Sequence, residues 1–415
     1  MNKKLRGIKC VAPVFDGSGY AEWSRNYILA LNETKIPITL APIKFEEKGP
    51  DLGEIGNTLN SLVGKDIEYD AIISWTTPEI AEKVFNGDTN KKALRINFTL
   101  WETDLLHPAW VNIINKMDEC WLPGDFNRKV FRDSKVTVPL KTFHHPIDLE
   151  SYGQGSPISL KRSASEIIGN DTYVFYYISQ WSERKNFKDL LQAYWSEFSN
   201  GENVCLVLKT YLAKHSQEES EYLSEVIEQI QSQGKYTQVP EVILVNQLLS
   251  REKMLGLHKR CDCYVSPSRG EGLGLGILES GIFENPVITN TFGEQASYVT
   301  SDTGFIYNHT LRPVTGMQQW PWYLSNQYWA QPDLKDMTSK MRFCYENQEL
   351  AKEKGRNLRQ FLETNCTYRS VGDSLVVELN ESFNRLRNNG KNKESISVRP
   401  SNKVRKKTVS NQKDN

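Results

Sequence analysis

The residues best suited to chemistry lie in a glycine-rich stretch, residues 266–280, which contains Glu271 and Glu279 with seven residues between them. A short apolar run, residues 263–265, precedes the stretch and predicts a buried strand, whereas residues 277–283 begin a helical pattern. A glycine-rich turn between a strand and a helix lets backbone amides approach an anion, and the helix N-terminus adds its dipole. Each carboxylate can accept hydrogen bonds from hydroxyl groups. The stretch therefore predicts a site for a diphosphate ligand that carries hydroxyl-rich groups on both sides.

A second group of candidates is basic. Arg184 and Lys185 follow an apolar run at residues 173–178, and Lys209 ends the next apolar run, at residues 204–209. Cations at strand ends can balance the charge of a bound diphosphate. Arg184 and Lys185, with Lys209 as a third candidate, are therefore basic residues that could contact the diphosphate.

Alternation of strand and helix patterns predicts an α/β fold that can position these groups. In the first part of the chain, apolar runs separated by helical patterns predict buried strands at residues 7–15, 36–40, 70–75 and 94–100. Open α/β sheets bind ligands at the carboxyl ends of their strands. The turn of Gly17 and Gly19 follows the first of these strands, and Glu102 and Asp104 follow the fourth. All four residues are therefore predicted to lie at one sheet edge.

At 415 residues the chain is too long for a single ordinary core, which predicts two domains. The stretch between them is poor in apolar residues and rich in Gly and Ser. The predicted parts are an N-terminal domain at 1–150, a linker at 151–170, a C-terminal domain at 171–365, a terminal helix at 366–387 and a disordered tail at 388–415.

Composition narrows the class of protein. A hydrophobic content of 39% is typical of globular proteins, and no apolar run is long enough to span a bilayer. The N-terminus lacks a cleavage-site pattern, so no signal peptide is predicted. The seven scattered cysteines predict reduced, buried thiols in a cytoplasmic protein. The acidic triplet of Glu102, Thr103 and Asp104 is one that could hold a divalent ion, but its surroundings do not support this, and no metal site is predicted.

The tail is basic. Residues 388–415 contain eight Lys or Arg residues against two acidic ones, although the whole chain has a net charge of zero. Two interpretations remain open: contact with a polyanion, either an anionic membrane surface or nucleic acid, and a solubilising terminus. Contact with an anionic membrane surface would place the protein at the periphery of a membrane. Oligomeric state is not predicted.

The run Pro-Ser-x-x-Glu-Gly-x-Gly-Leu, with its Glu-x7-Glu spacing, resembles the donor-site signature of the retaining glycosyltransferases of family four. This resemblance implies the GT-B fold, in which two Rossmann-like domains face each other across a cleft and the last helices return to the N-terminal domain. It implies that Glu271 contacts the transferred sugar and that Glu279 holds the ribose of the nucleotide. The diphosphate would then be bound by the amides of Gly272, Leu273, Gly274 and Leu275.

The resemblance also implies a reaction. A sugar would pass from a nucleotide-sugar donor to a hydroxyl acceptor (a glycan, a lipid-linked acceptor or a polymer), with retention of anomeric configuration and without a metal or other cofactor. Glu271, Arg184 and Lys185 would be the catalytic residues. Lys209, Gly17 and Gly19 would line the donor site, and Glu102 and Asp104 would face the acceptor.

The sequence departs from the family at two points. Many members have a His where this chain has Glu102 or Thr103, and Gln180 stands where an Arg is usual. These departures keep an alternative open: a catalytically silent nucleotide-sugar-binding or interaction protein with a polyanion-binding tail. Residues 320–329 are dense in Trp and Tyr, for which packing is favoured over stacking on sugars.

Overall fold

The computed structural model describes residues 4–152, 156–161 and 166–397. The first domain is built on a six-stranded parallel sheet of order β2-β1-β3-β4-β5-β6. Its strands are β1 (Ile8–Pro13), β2 (Ile38–Ile43), β3 (Ala71–Trp75), β4 (Leu94–Phe98), β5 (Glu119–Leu122) and β6 (Leu140–Thr142). Its helices are α1 (Gly19–Glu33), α2 (Gly53–Leu62), α3 (Pro78–Gly87), α4 (Pro108–Ile114), α5 (Asp125–Asp133) and α6 (Leu149–Tyr152).

The second domain repeats the design with a parallel sheet of order β12-β11-β10-β7-β8-β9. Its strands are β7 (Tyr173–Ile178), β8 (Val204–Lys209), β9 (Glu241–Val245), β10 (Cys263–Val265), β11 (Val287–Thr289) and β12 (Phe305–Ile306). Its helices are α7 (Phe187–Glu197), α8 (Gln217–Gln233), α9 (Arg251–Arg260), α10 (Leu275–Ile282), α11 (Leu334–Glu346) and α12 (Gln348–Asn365). An antiparallel hairpin is added by β13 (His309–Pro313) and β14 (Tyr328–Pro332).

Both sheets are buried because most of their strands are continuous apolar runs. All five residues of β3 and all six of β8 are buried, a pattern typical of parallel strands that are covered on both faces. The seven cysteines are also buried and unpaired, as predicted. The two Rossmann-like domains confirm the predicted α/β architecture.

The last helix, α13 (Tyr368–Ser397), returns to the first domain and packs on α1. Leu375 and Leu379 are fully buried in this contact. The Tyr368 hydroxyl donates a hydrogen bond to Asn26 Oδ1 at 2.7 Å, and Asn380 Oδ1 accepts one from the Leu5 amide at 3.1 Å. The predicted return of the C-terminal helices is confirmed.

The chain passes between the domains twice, and the two passages lie side by side. The Ile147 amide donates to the Cys366 carbonyl at 2.6 Å, and Ile147 forms a parallel bridge with Thr367. We call this pair the double crossing. It joins the end of the first domain to the start of α13.

One boundary differs from the prediction. The tail was predicted to begin at residue 388, but α13 continues to Ser397. The apolar stripe ends near Leu386, so the sequence gives no sign of this extension, yet a helix already anchored by packing can propagate without a new nucleation step. The rest of the predicted tail, residues 398–415, and parts of the predicted linker, residues 153–155 and 162–165, lie outside the described residues.

Candidate active site

The predicted donor loop connects β10 to α10 in the second domain. Gly274, the N-cap of α10, has a φ of 81°, a left-handed conformation that glycine adopts without strain. Leu275 then begins the helix, so the amides at this end have no carbonyl one turn earlier in the helix to bind. These amides make the loop from Gly272 to Leu275 a candidate anion-binding site.

Arg184 and Lys185 reach this loop from the segment after β7. Lys185 Nζ lies 2.6 Å from Glu271 Oε1, and Arg184 Nη1 lies 3.7 Å from Glu271 Oε2. Arg184 Nη2 lies 3.5 Å from Oε1 of Glu102, which belongs to the first domain. These four side chains form what we call the ion cluster. Two cations and two carboxylates thus meet where the domains face each other.

Burial and charge act in opposite directions on the ion cluster. Burial alone would raise the pKa of Glu271, but Lys185 and Arg184 hold that pKa below its usual value. For Lys185, burial lowers the pKa, and Arg184 adds to this effect while Glu271 opposes it. Glu271 is therefore a carboxylate at neutral pH, with its charge balanced by the two cations.

The two domains touch directly at the ion cluster. Gly270 lies so close to the Glu102 carbonyl that a Cβ at this position would collide with it. Asn127 of α5, fully buried, joins the loops on both sides: its Nδ2 donates to the Gly272 carbonyl at 2.9 Å, and its Oδ1 accepts from the Trp101 amide at 2.7 Å. Sequence analysis did not identify Asn127. Its position just beyond the carboxyl end of β5 is the signal that could have done so.

Glu279 lies one turn into α10 and lines a small pocket, away from the ion cluster. The pocket is bordered by α1 and by the end of the first domain, including Glu22, Asn26, His145 and Tyr152. Glu279 Oε2 lies 3.6 Å from Nε2 of His258, a fully buried residue of α9. Sequence analysis did not identify His258, because nothing in the sequence links α9 to this face of α10.

Hydrogen bonds orient the His258 ring from the side opposite Glu279. Asn285 Nδ2 donates to the Tyr176 hydroxyl at 3.0 Å, and that hydroxyl lies 2.8 Å from His258 Nδ1. The Nε2 atom on the other side of the ring faces the Glu279 carboxylate. Asn285 and Tyr176 therefore fix the ring that borders Glu279.

Lys209, Gly17 and Gly19 occupy another part of the interdomain region. Lys209 is 4% exposed, forms no ion pair with any residue that the structure describes, and lies 5.5 Å from the centroid of the Tyr211 ring. Burial lowers its pKa to about 8. Across the domain boundary, Tyr211 donates a hydrogen bond to Glu46 at 3.3 Å. Gly17 follows β1 near Glu46, and Gly19 is the first residue of α1.

The two acceptor-side candidates have different partners. Glu102 accepts a hydrogen bond from the Tyr323 hydroxyl at 3.2 Å and belongs to the ion cluster. Asp104 accepts from the Tyr328 amide at 2.6 Å and also donates its own amide to the Tyr328 carbonyl at 3.1 Å. Tyr323, which sequence analysis assigned to packing with its aromatic neighbours, thus also contacts the candidate site.

Comparison with solved structures defines the class. HepE of Anabaena, solved with UDP and glucose, is 13% identical to this chain over 91% of this chain and 100% of HepE, with a TM-score of 0.59. Sucrose-phosphate synthase of Thermosynechococcus elongatus is 12% identical over 95% of this chain and 100% of that protein, with a TM-score of 0.61. At these identities the similarity establishes the fold, which is the GT-B fold of glycosyltransferases.

The family match agrees with the fold. Residues 161–310 match the model of the family described as Glycosyl transferases group 1. The matched range contains the donor loop and the two cations of the ion cluster, and the predicted resemblance to a GT-B glycosyltransferase is confirmed. Comparison with curated proteins finds no match.

Proposed function

We propose that this protein is a retaining glycosyltransferase that moves a sugar from a nucleotide-sugar donor to a hydroxyl acceptor. The observation that carries the proposal is the ion cluster. Arg184 and Lys185 converge with Glu271 at the N-terminal end of α10, a place suited to binding a diphosphate. That HepE was solved with UDP-glucose supports a nucleotide sugar as the donor.

In the proposed reaction the donor diphosphate becomes the anionic partner of the two cations. Its oxygens replace the carboxylates as partners of Arg184 and Lys185, and the amides from Gly272 to Leu275 bind the same group. As the bond to the sugar breaks, the leaving diphosphate gains negative charge, which these cations stabilise without a metal ion. Glu271, released from Lys185, is then free to accept hydrogen bonds from the sugar hydroxyls.

The acceptor approaches from the first domain. Glu102 lies opposite the donor loop, and Asp104 lies beside it on the same strand-end segment. No protein nucleophile enters this scheme: the leaving phosphate helps to deprotonate the acceptor hydroxyl on the same face of the sugar, which retains the configuration. Direct contact of the two domains around the site excludes water that would otherwise hydrolyse the donor.

The test is release of nucleoside diphosphate from a panel of UDP-, GDP-, ADP- and dTDP-sugars in the absence of acceptor. We expect slow release from one donor, lost in Lys185→Ala and in Glu279→Ala. Lys188→Ala, an exposed lysine three residues further along, serves as the matched control and should behave as wild type. If no donor is turned over and calorimetry detects no nucleoside diphosphate binding, the donor site is assigned wrongly.

Configuration and metal independence need separate measurements. The anomeric configuration of the product, read by NMR, should equal that of the donor. Release should persist in EDTA, because Arg184 and Lys185 supply the positive charge that a metal would otherwise provide. An inverted product or full loss of release in EDTA would contradict these parts of the proposal.

A further inference from the structure

The aromatic residues between β13 and the end of β14 divide into a packed set and an exposed set. We call residues 314–332 the aromatic segment. Trp329 is fully buried, and Tyr323 packs on Trp101 with ring centroids 4.8 Å apart. In contrast, Trp320 is 53% exposed and Tyr328 is 40% exposed. Packing, the interpretation favoured from sequence, accounts for the first set only.

The aromatic segment is attached to the acceptor side of the candidate site. The backbone of Tyr328 forms two hydrogen bonds with Asp104, and Gln327 Nε2 donates to the Leu105 carbonyl at 2.9 Å. The Tyr323 hydroxyl donates to Glu102 of the ion cluster. Tyr328 therefore borders the proposed acceptor side, and Trp320 is joined to Tyr323 by the bond from the Tyr323 amide to the Trp320 carbonyl at 3.2 Å.

The side chains of the aromatic segment itself are uncharged. The aromatic segment contains no Asp, Glu, Lys or Arg, although charged residues make up 25% of the chain. Its exposed polar side chains include Gln318, Gln319 and Asn326, whose amides both donate and accept hydrogen bonds. A polyanion would require cations here, and an extended apolar ligand would leave these amides unpaired. A sugar chain has apolar ring faces and hydroxyl edges, which match aromatic rings and amides.

We propose that the aromatic segment binds a neutral oligosaccharide, with Trp320 and Tyr328 stacked on sugar rings away from the reacting hydroxyl. This inference rests on the proposed function and narrows it, because it makes the acceptor a saccharide chain rather than a small alcohol or an anionic polymer. In this proposal the oligosaccharide extends from the ion cluster along the outside of the aromatic segment.

Direct binding tests this inference without any turnover. The probes are neutral hexasaccharides of glucose, mannose, galactose and N-acetylglucosamine, together with hexasaccharides of galacturonic acid as the anionic comparison. We expect at least one neutral probe to bind, with affinity about five- to tenfold weaker in Trp320→Ala and in Tyr328→Ala. Tyr222→Ala is the matched control, because Tyr222 is 54% exposed but lies on α8.

Three outcomes would overturn the inference: no neutral probe binds, the anionic probe binds at least as tightly, or Tyr222→Ala weakens binding as much as Trp320→Ala. Unchanged thermal unfolding of the variants shows that the fold is intact. Wild-type protein is assayed for donor release in parallel. If saccharide binding depends on Trp320 but no donor is turned over, the proposed function is contradicted while the saccharide-binding surface is supported. If a donor is turned over but no saccharide binding depends on Trp320, only the saccharide-binding surface is contradicted.

Discussion

A buried cation needs a counter-charge when no anionic ligand is present, since removing an ion from water costs several kcal/mol. Arg184 and Lys185 obtain theirs from Glu102 and Glu271. The same carboxylates must then compete with a phosphate for these cations. At the scale of single residues, the ion cluster thus affects both the free energy of folding and the affinity for a donor.

Removing one competing carboxylate should strengthen nucleotide binding. We expect Glu102→Gln to bind UDP or the preferred nucleoside diphosphate about three- to tenfold more tightly, because Arg184 loses an anionic partner while Glu271 still balances Lys185. Transfer to an acceptor should fall. Isothermal titration calorimetry in the absence of acceptor measures the first effect.

Asp104→Asn is the matched control for this experiment. Asp104 lies two residues from Glu102 but bonds to the Tyr328 backbone and does not reach the cations. Its substitution should leave nucleotide affinity within about twofold of wild type. If both variants bound the nucleotide more tightly to the same extent, the loss of a negative charge near the site, rather than competition for Arg184, would control nucleotide affinity.

The support of Glu279 by His258 can be tested through the ribose. Tyr176→Phe removes the hydroxyl that lies 2.8 Å from His258 Nδ1 and orients the His258 ring. We expect it to weaken binding of a nucleoside diphosphate about three- to tenfold, because a less ordered Glu279 holds the ribose hydroxyls less well. The 2′,3′-dideoxy nucleotide should bind the variant and wild type alike.

Tyr173→Phe, in the same strand, is the control for a general effect of losing a buried hydroxyl. If Tyr176→Phe weakens the dideoxy nucleotide equally, His258 acts on the packing of the domain rather than on Glu279.

Much of the candidate site could be predicted because its members follow strand ends. Arg184, Lys185 and Glu271 all lie at the carboxyl edge of one sheet, where the parallel topology brings them together. Asn127 also follows a strand end, which made it a possible candidate, but its contact with the donor loop could not be predicted. That contact and the role of Tyr323 depend on how the first domain and the hairpin are placed against the donor loop, which no local pattern specifies.

At the scale of elements, α13 shows how a terminal helix holds to a distant domain. Its residues Leu375 and Leu379 are fully buried, whereas Val377, between them in sequence, is 59% exposed. This alternation of buried and exposed positions gives the helix one apolar face, which lies on the first domain. The apolar spacing made the helix predictable, whereas its return to the first domain was predicted from the family resemblance.

Truncation on the buried face of α13 should destabilise the protein. We expect Leu379→Ala to lower the free energy of unfolding by about 2–5 kcal/mol, since it leaves a cavity against α1 and its neighbours. Val377→Ala should change it by less than about 0.5 kcal/mol. Urea denaturation followed by circular dichroism provides the comparison, and equal effects of the two variants would contradict the packing of α13.

The hairpin of β13 and β14 shows what local patterns leave out. Its strands are joined by residues 314–327, far more than the short loop that identifies a hairpin from sequence. Most strands of the two sheets, by contrast, are continuous apolar runs between helical patterns and were predictable to within a few residues. The hairpin was not predicted, and neither were β6 and β12, which are only three and two residues long.

At the scale of the whole molecule, the junction between the domains contains a buried imidazole. His145 is 5% exposed, and burial lowers its pKa from 6.5 to about 3, although the Glu22 carboxylate opposes the shift. The folded protein thus keeps His145 neutral at pH values where the unfolded chain protonates it. Between pH 6.5 and about 3, the unfolded state binds more protons, so stability falls as the pH falls.

This linkage predicts a measurable slope. In the wild type, His145 lowers the free energy of unfolding by up to about 1.4 kcal/mol for each pH unit below 6.5. His145→Gln should lose that contribution and give a shallower pH dependence, measured by denaturation between pH 7 and pH 5. His144→Gln, the exposed neighbour, should retain the wild-type slope. A wild-type slope in His145→Gln would show that this imidazole is not buried at the junction.

The double crossing limits how the two domains can move. A single flexible connection acts as a swivel, which permits rotation about any axis. Two connections held together by the bond from Ile147 to Cys366 act as a hinge, since twisting one domain against the other would break their pairing. Rotation about an axis through the crossing leaves this pairing intact. We therefore expect the cleft to open and close about that axis, which would separate Glu102 from Arg184 and bring the two side chains together again.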